Sequence, residues 1–209
     1  MKNKTPDFAY HMTKFFTEYL PIQRNLSPNS IATYRDTFRL LLLFYDTEKH
    51  IKPNLLTLDM LNVQQIEDFM LWLKKERNCG ASTCNQRLGA LKSFFRYLQF
   101  ALPDCALQCQ ENLAIRPMKQ PEPGLKYLTI DGIKLLLEQP DIKTKYGRRD
   151  LAILSLMYDT GARVQEIADI KIVHIRFSAP ATIRITGKGD KTRVVPLLSR
   201  TEDILKQYI

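Results

Sequence analysis

The 209-residue sequence contains no long apolar run of the kind that secretion or membrane insertion requires. Residues 1–7 are polar and the segment after them is amphipathic, which does not suit a signal peptide. No stretch reaches the roughly 18 consecutive apolar residues that a bilayer-spanning helix needs. The sequence therefore predicts a cytoplasmic protein with no membrane partner.

The usual spacing of metal-binding cysteines and histidines is also missing. The cysteines follow C-x4-C and C-x3-C spacings, unlike the short knuckles of structural zinc sites, and no histidine lies near them. In a reducing compartment we expect structural thiols at Cys79, Cys84, Cys105 and Cys109. The sequence predicts neither a metal site nor a nucleotide cofactor.

Acidic residues are the scarcer charged class: 22 Asp and Glu stand against 31 Lys and Arg, for a formal net charge of +9. Such a charge attracts polyanions by long-range steering, which makes nucleic acid the first partner to consider. The alternative is an ordinary soluble basic protein, because net charge informs on association rather than fold. With 44% hydrophobic and 25% charged residues, the chain has a globular composition and is expected to bury a core.

The first half of the chain predicts a small bundle of four amphipathic helices, with a short fifth helix after them. Capping residues mark three of the starts, since Pro28 follows one of them and Gln65 completes a capping box with another. The predicted caps or first residues of the five helices are, in order, Phe8, Ser27, Asn62, Ser82 and Cys105.

Four helix-breaking residues, Pro117, Pro121, Pro123 and Gly124, fall within the segment 116–126. Regular structure is not expected there, so the segment predicts an extended linker. We therefore expect one domain over residues 1–115, a linker over 116–126 and a second domain over 127–209.

The second domain is predicted to mix helices with a β-hairpin. A helix capped by Thr129 and a helix over Arg149–Thr160, closed by Gly161, come first. Alternation then predicts strands over 182–186 and 191–197, joined by a basic turn. A capping box of Ser199 and Glu202 predicts the last helix.

A basic, polar face is predicted on the fourth helix, because no acidic residue occurs between Arg77 and Pro103. Such a face suits a phosphate track or a major groove, and the start of the second helix has a similar composition. The alternative is an ordinary solvated helix face, although such faces usually mix both signs of charge. The candidate DNA contacts are Ser27, Asn29, Tyr34, Arg35, Ser82, Asn85, Arg87, Lys92 and Arg96.

Four motifs together resemble the tyrosine recombinase family, also called the phage integrase family. In order, they are Leu26–Tyr34, Asn85–Leu98, the first catalytic box within Arg149–Ile167, and the hairpin motif Gly187–Leu197. Each motif alone is only suggestive, but four in the family's order are hard to produce by chance. The resemblance implies a mainly α chain: a core-binding, SAM-like domain of four to five helices, then the first part of an α+β catalytic domain with its hairpin.

The resemblance also implies roles for individual residues. It assigns Arg163 as the catalytic arginine, whose guanidinium neutralises the phosphate charge, and Lys188 as the general acid for the leaving oxygen. Glu166 is similar to the acidic residue of the box and would orient a neighbour, and Lys191 and Arg193 would contact DNA. By themselves, Arg163 would be a structural arginine after a helix cap and Glu166 a surface glutamate, and Lys191 remains an alternative to Lys188.

The second catalytic box and the nucleophile of that family are missing from these 209 residues. The box has the form His-x-x-Arg, whereas the third residues after the three histidines are Lys14, Pro53 and Phe177. Tyr208 lies ahead of where the box would come, and we interpret it as a packing residue. We therefore expect no covalent strand cleavage by this chain, and an exposed core in its second domain.

Three functional hypotheses follow from these features. The first is a shortened site-specific recombinase or integrase, which would bind double-stranded DNA and other recombinase protomers. The second is a non-catalytic DNA-binding regulator of recombination sites. The third is an RNA-binding helical protein, which is disfavoured because no sheet with aromatic stacking platforms is evident.

Overall fold

Helices make up most of the chain in the computed structural model, which describes residues 7–120, 124, 127–187 and 189–209. The chain divides into two units, with the boundary between residues 123 and 124. Part of the predicted linker, residues 121–123 and 125–126, lies outside the described residues. None of the helices in the described ranges has both the length and the apolar character that a bilayer crossing needs.

All of the regular secondary structure in the described residues of the first unit is helical. Its main helices are α1 (Phe8–Lys14), α2 (Pro28–Glu48), α3 (Val63–Lys75), α4 (Ala81–Ala101) and α5 (Ala106–Ala114). A π-helical segment, Phe15–Gln23, continues α1, and short 3-10 turns occur at Pro53–Leu55, Leu58–Met60 and Pro103–Cys105. These elements confirm the predicted four- to five-helix domain.

The first helix differs from a regular α-helix in its second half. The π-helical segment contains Pro21, whose ring nitrogen cannot donate the hydrogen bond of an α-helix. The wider turn is seen where the Arg24 amide donates to the Tyr19 carbonyl, five residues back, at 2.9 Å. The apolar stripe still faces the core, since Phe8, Phe15 and Leu20 are all buried.

Two of the three predicted caps in this unit are confirmed. Ser27 and Asn62 each accept a hydrogen bond from the backbone amide three residues later, at 3.3 and 3.0 Å. The predicted capping box at Asn62 is not completed, because the buried Gln65 Oε1 has no hydrogen-bond partner among the described residues. The prediction of Ser82 as a cap is wrong, because α4 already begins at Ala81 with Gly80 as its N-cap. Gly80 has an extended backbone and its carbonyl accepts the first helical hydrogen bond, so the serine falls inside the first turn.

An aromatic cluster holds the helices of the first unit together. The fully buried Phe15 ring has its centroid 5.9 Å from that of Phe38 on α2, and 5.1 Å from that of Phe94 on α4. A second group joins α2 to α3, where Phe44 lies 5.8 Å from Trp72. Helices α1 to α4 therefore each contribute at least one ring to a continuous core, to which α5 adds Cys109.

The second unit combines helices with one small sheet. The helices are α6 (Ile130–Glu138), α7 (Lys145–Thr160), α8 (Val164–Ala168) and α9 (Ser199–Tyr208), with a 3-10 turn at Ile172–His174. The strands β1 (Ile175–Arg176), β2 (Thr182–Thr186) and β3 (Thr192–Pro196) form an antiparallel sheet in that order. The predicted hairpin is β2–β3, whereas β1 was not predicted because two residues give no periodicity.

Helix α7 begins four residues before the predicted start and ends where predicted. Thr144 caps it by accepting the Gly147 amide at 2.9 Å. Gly147 packs so closely on Asp141 that an added Cβ atom would overlap the Asp141 carbonyl. At the other end, Gly161 adopts a left-handed φ of 60° and closes the helix, as predicted.

The caps of α6 and α9 give opposite outcomes. Thr129 accepts the amide three residues later at 3.1 Å, which confirms the α6 cap. The predicted capping box at Ser199 is wrong, because Ser199 is the first helical residue and Leu198 is the N-cap. Helix α9 starts one residue earlier than predicted. The Leu198 amide donates to the Asp159 carboxylate of α7 at 2.8 Å, and Glu202 pairs with Lys206.

The core of the second unit is small and its apolar surface is partly open. Leu156, Ile183 and Leu205 are buried at its centre, from α7, β2 and α9. Beside them lies an apolar cleft of about 360 Å³, lined in part by Ile167 and Tyr208. The first unit has the larger buried core of the two.

We predict that Phe15→Ala destabilises the first unit by about 3–5 kcal/mol, because it removes the ring that contacts both α2 and α4. Trp72, the single tryptophan of the chain, lies in this unit, so its fluorescence in urea reports the unfolding. Phe100→Ala is the matched control: that ring is 84% exposed, and its loss should change stability by no more than about 0.5 kcal/mol. Equal effects of the two substitutions would contradict the assigned core.

Candidate functional site

The first catalytic motif and the hairpin motif meet at the carboxylate of Glu166, which is only 5% exposed. Glu166 lies in the first turn of α8, and Arg163 is the residue that precedes this helix. The carboxylate accepts the Arg163 backbone amide at 3.0 Å and the Arg163 Nη1 at 2.9 Å. From β3, Arg193 Nη2 donates to it at 2.8 Å.

These donors keep Glu166 ionised. The hydrogen bond from Arg193 is the largest influence, followed by the backbone amide of Arg163, and together they hold the pKa of the Glu166 carboxyl at about 2, against an ordinary value of 4.5. Burial opposes them, because it penalises the charged form. The contribution of ionised Glu166 to the stability of the folded state is therefore fully present above pH 4.5 and is lost as the pH falls towards 2.

Gly187 brings the base of the hairpin against the same carboxylate. A Cβ atom added at Gly187 would lie 2.5 Å from Glu166 Oε1, so no larger residue fits without moving the carboxylate. The Gly187 amide donates to the Lys191 carbonyl at 2.9 Å, which closes the loop of the hairpin. The glycine of the motif is thus explained by its close approach to Glu166.

The structure places the predicted catalytic residues only in part. The Arg163 side chain is 75% exposed, so its guanidinium faces solvent while one nitrogen remains on Glu166. Lys188 lies outside the residues that the structure describes, and its assignment stays a prediction from the sequence. Lys191 is exposed, so the choice between the two lysines remains open.

Two candidate DNA contacts on α4 are engaged within the first unit. Asn85 donates to the Met118 carbonyl at 2.9 Å and accepts the Met118 amide at 2.8 Å. Lys92 Nζ donates to the Ile115 carbonyl. Burial, and then the nearby charge of Arg96, lowers the pKa of Lys92. These side chains hold the chain that leaves α5 against α4.

The remaining candidates on α4 and α2 are more accessible. Arg96 and Ser82 are exposed, and Arg87 is half-buried, with an Nε that has no hydrogen-bond partner among the described residues. On α2, three of the four predicted contacts are exposed: Ser27, Asn29 and Arg35. The ring of Tyr34 instead stacks on Phe15, with centroids 6.4 Å apart.

Two functional contributions were missed by reasoning from the sequence. Arg193 was assigned to DNA, although it pairs with Glu166 across 27 positions, and Gly187 had no assigned role. The only local signal was the placement of Glu166 three residues after Arg163, which is the spacing of a reciprocal cap. Within the described ranges, no group of three or more His, Cys, Asp or Glu side chains could hold a metal ion.

The arrangement is suited to binding an oxyanion. An exposed guanidinium held by one carboxylate contact keeps further N–H donors free for the bidentate recognition of a phosphate. The neighbouring carboxylate is already charge-compensated by Arg193, so it would not leave an unpaired buried charge if Arg163 moved.

Comparisons with known proteins assign both halves of the chain to one family. Residues 14–100 match the phage integrase N-terminal SAM-like domain, and residues 126–209 match the phage integrase family. Both matches fall on the segments that carry the four motifs.

Curated relatives match almost the whole chain. A Sinorhizobium fredii protein described as an integrase/recombinase, y4rC, is 34% identical over 99% of this chain and 62% of its own length. The tyrosine recombinase XerD of Listeria innocua is 31% identical over 93% of this chain and 62% of its own length. The chain therefore spans less than two thirds of the relatives that it matches.

Solved structures share the fold. The XerH site-specific recombinase bound to its difH substrate has a TM-score of 0.62 at 22% identity, covering 88% of this chain and 52% of that one. The Tn1549 transposon integrase in complex with transposon right-end DNA has a TM-score of 0.66 at 15% identity, covering 93% and 63%. Together with the sequence matches, these findings show that the chain belongs to the tyrosine recombinase, or phage integrase, family.

Proposed function

We propose that this chain binds double-stranded DNA as the core-binding domain and part of the catalytic domain of a site-specific recombinase or integrase. Residues 1–115 would supply the DNA-gripping domain, 116–126 the linker and 127–209 the partial catalytic domain. The observation that carries the proposal is the buried Glu166 carboxylate, which holds the arginine of one motif and the hairpin of another at a single point.

In the proposed site, Arg163 binds the non-bridging oxygens of the scissile phosphate. Charge builds on these oxygens when the phosphorus is attacked, and a positioned guanidinium stabilises it. Glu166 orients Arg163, and Lys188 protonates the leaving oxygen as general acid. The role of Lys188 rests on the sequence motif alone.

The proposed DNA face of the first unit consists of the exposed starts of α2 and α4 together with Arg96. The exposed polar residues Ser27, Asn29 and Ser82 suit backbone contacts, and Arg35 and Arg96 supply positive charge. Two solved structures of the same fold, a recombinase bound to difH substrate and an integrase in complex with transposon right-end DNA, support this choice of partner. Other recombinase protomers are the second proposed partner.

The proposal assigns no covalent step to these 209 residues by themselves. They contain no His-x-x-Arg sequence. Tyr208, at the end of α9, is 41% exposed and lines the apolar cleft beside Arg149 and Leu205; its interpretation as a packing residue stays a prediction. Breakage and rejoining of strands are proposed only for a polypeptide that also supplies the second box and a nucleophilic tyrosine.

We predict that Arg96→Ala weakens duplex binding and lowers the slope of log affinity against log salt by about 0.9, the value for one lost phosphate contact. Fluorescence anisotropy with a labelled duplex at several salt concentrations measures both quantities. Lys52→Ala is the matched control, because Asp46 already neutralises that charge at 2.9 Å. If Arg96→Ala and Lys52→Ala change the affinity and the salt slope by equal amounts, Arg96 does not belong to the DNA face.

Lys92→Ala should act differently from Arg96→Ala, because the Lys92 ammonium is engaged by the Ile115 carbonyl. We expect its main effect to be faster hydrogen exchange at the backbone of residues 115–118, with a smaller change in the salt slope. Hydrogen exchange followed by mass spectrometry, read beside the anisotropy data, separates the two effects. If Lys92→Ala lowers the salt slope as much as Arg96→Ala does and leaves hydrogen exchange at residues 115–118 unchanged, Lys92 belongs to the DNA face.

We also predict no phosphotyrosyl product when this chain is incubated with a nicked suicide duplex of a recombination site. The measurement is a denaturing gel that detects protein bound covalently to labelled DNA. A covalent band that disappears in Tyr208→Phe would show that Tyr208 is a nucleophile and would refute the assignment.

A further inference from the structure

Arg193 and Arg163 share one carboxylate but differ in how firmly they are held. The Arg163 side chain is 75% exposed, whereas that of Arg193 is 38% exposed. Arg193 lies on β3 opposite Ile185, a fully buried residue of β2, so its backbone is fixed by the sheet. Arg193 is therefore the anchored partner of Glu166 and Arg163 the accessible one.

This difference matters because a buried carboxylate must stay paired. Removing the partner of a buried charge is far more costly than removing an exposed ion pair, since the remaining charge is left without compensation. If Arg163 turns towards a phosphate, Glu166 still has Arg193 and the Arg163 backbone amide. Arg193 thus allows Arg163 to engage a ligand while the carboxylate stays in place.

The same carboxylate determines where the base of the hairpin lies. Gly187 approaches Glu166 Oε1 so closely that the carboxylate occupies the space of its missing side chain. A Cβ atom at that position would also be 3.7 Å from Arg193 Nη1. Movement of Glu166 would therefore release Gly187, the residue that directly precedes Lys188 in the sequence.

From these contacts we propose that Arg193 is a positioning residue of the arginine site. It holds Glu166, and through Glu166 it fixes both the Arg163 guanidinium and the Gly187 end of the hairpin loop. This inference rests on the proposed function of Arg163 as a phosphate ligand. It replaces the expectation that Arg193 serves mainly as a DNA contact.

The test uses the 209-residue chain and inorganic phosphate as the probe, with NMR as the readout. In Arg193→Gln we expect the pKa of the Glu166 carboxyl to rise from about 2 towards its ordinary 4.5. We expect Gly187 amide exchange to accelerate about tenfold, because the hairpin base that pairs the Gly187 amide with the Lys191 carbonyl is no longer held against a fixed Glu166 carboxylate. The Arg163 side-chain signal should respond less to phosphate.

Two further variants keep the test decisive. Arg193→Lys retains the positive charge and should restore part of the low Glu166 pKa and of the Gly187 protection. Arg184→Gln, an exposed arginine on the neighbouring strand, should change none of the three readouts. Because the hairpin signals are followed directly, a variant that unfolds the sheet is recognised, and Arg193→Lys then carries the comparison.

The inference is overturned if Arg193→Gln leaves the Glu166 pKa and the Gly187 exchange unchanged. It is also overturned if the phosphate response of Arg163 is unaffected while both other readouts move. A wild-type Arg163 that does not respond to phosphate at all would instead count against the proposed function, even where the Glu166 pKa confirms the Arg193 contact.

Discussion

The burial of one ionised carboxylate, Glu166, governs how the second unit is arranged. A charge removed from water needs partners on every side, and here they come from the start of α8, from β3 and from a backbone amide. The same burial requires a glycine at position 187. Two motifs more than 20 residues apart are thus brought to a common point by one electrostatic requirement.

The first unit is organised by a different force. Its core is a set of buried rings, among them Phe15, Phe38 and Phe94, with a few buried polar side chains such as Asn112. Other polar residues lie at the surface or bind the chain that follows α5. Asn85 and Lys92 belong to this second group, since both bind the backbone of residues 115–118.

Local sequence signals predicted the elements well, because they act over a few residues. Caps at Ser27, Asn62 and Thr129, and the left-handed Gly161, were all predicted from neighbouring residue types. The starts at Ser82 and Ser199 were each misplaced by one or two residues, since Gly80 and Leu198 are the N-caps of these helices. The π-helical segment was also not predicted, because an apolar stripe does not distinguish the two turn widths.

The candidate site was less predictable, because its key contacts are not local. The family motifs identified Arg163 and Glu166, but nothing in the sequence states that Arg193 pairs with Glu166 or that Lys92 faces a carbonyl of its own chain. A lysine or arginine side chain contacts DNA in one context and stabilises its own fold in another. Burial and partners, which depend on tertiary packing, decide between them.

We propose above that these 209 residues recognise duplex DNA through the starts of α2 and α4 together with Arg96. The most direct measurement is an NMR titration of the chain with a recombination-site duplex at two salt concentrations. We expect the largest chemical-shift changes at Ser27, Asn29, Arg35 and Arg96, and we expect these changes to become smaller as the salt concentration rises. Shifts confined to other surfaces of the first unit, or binding that is indifferent to salt, would contradict it.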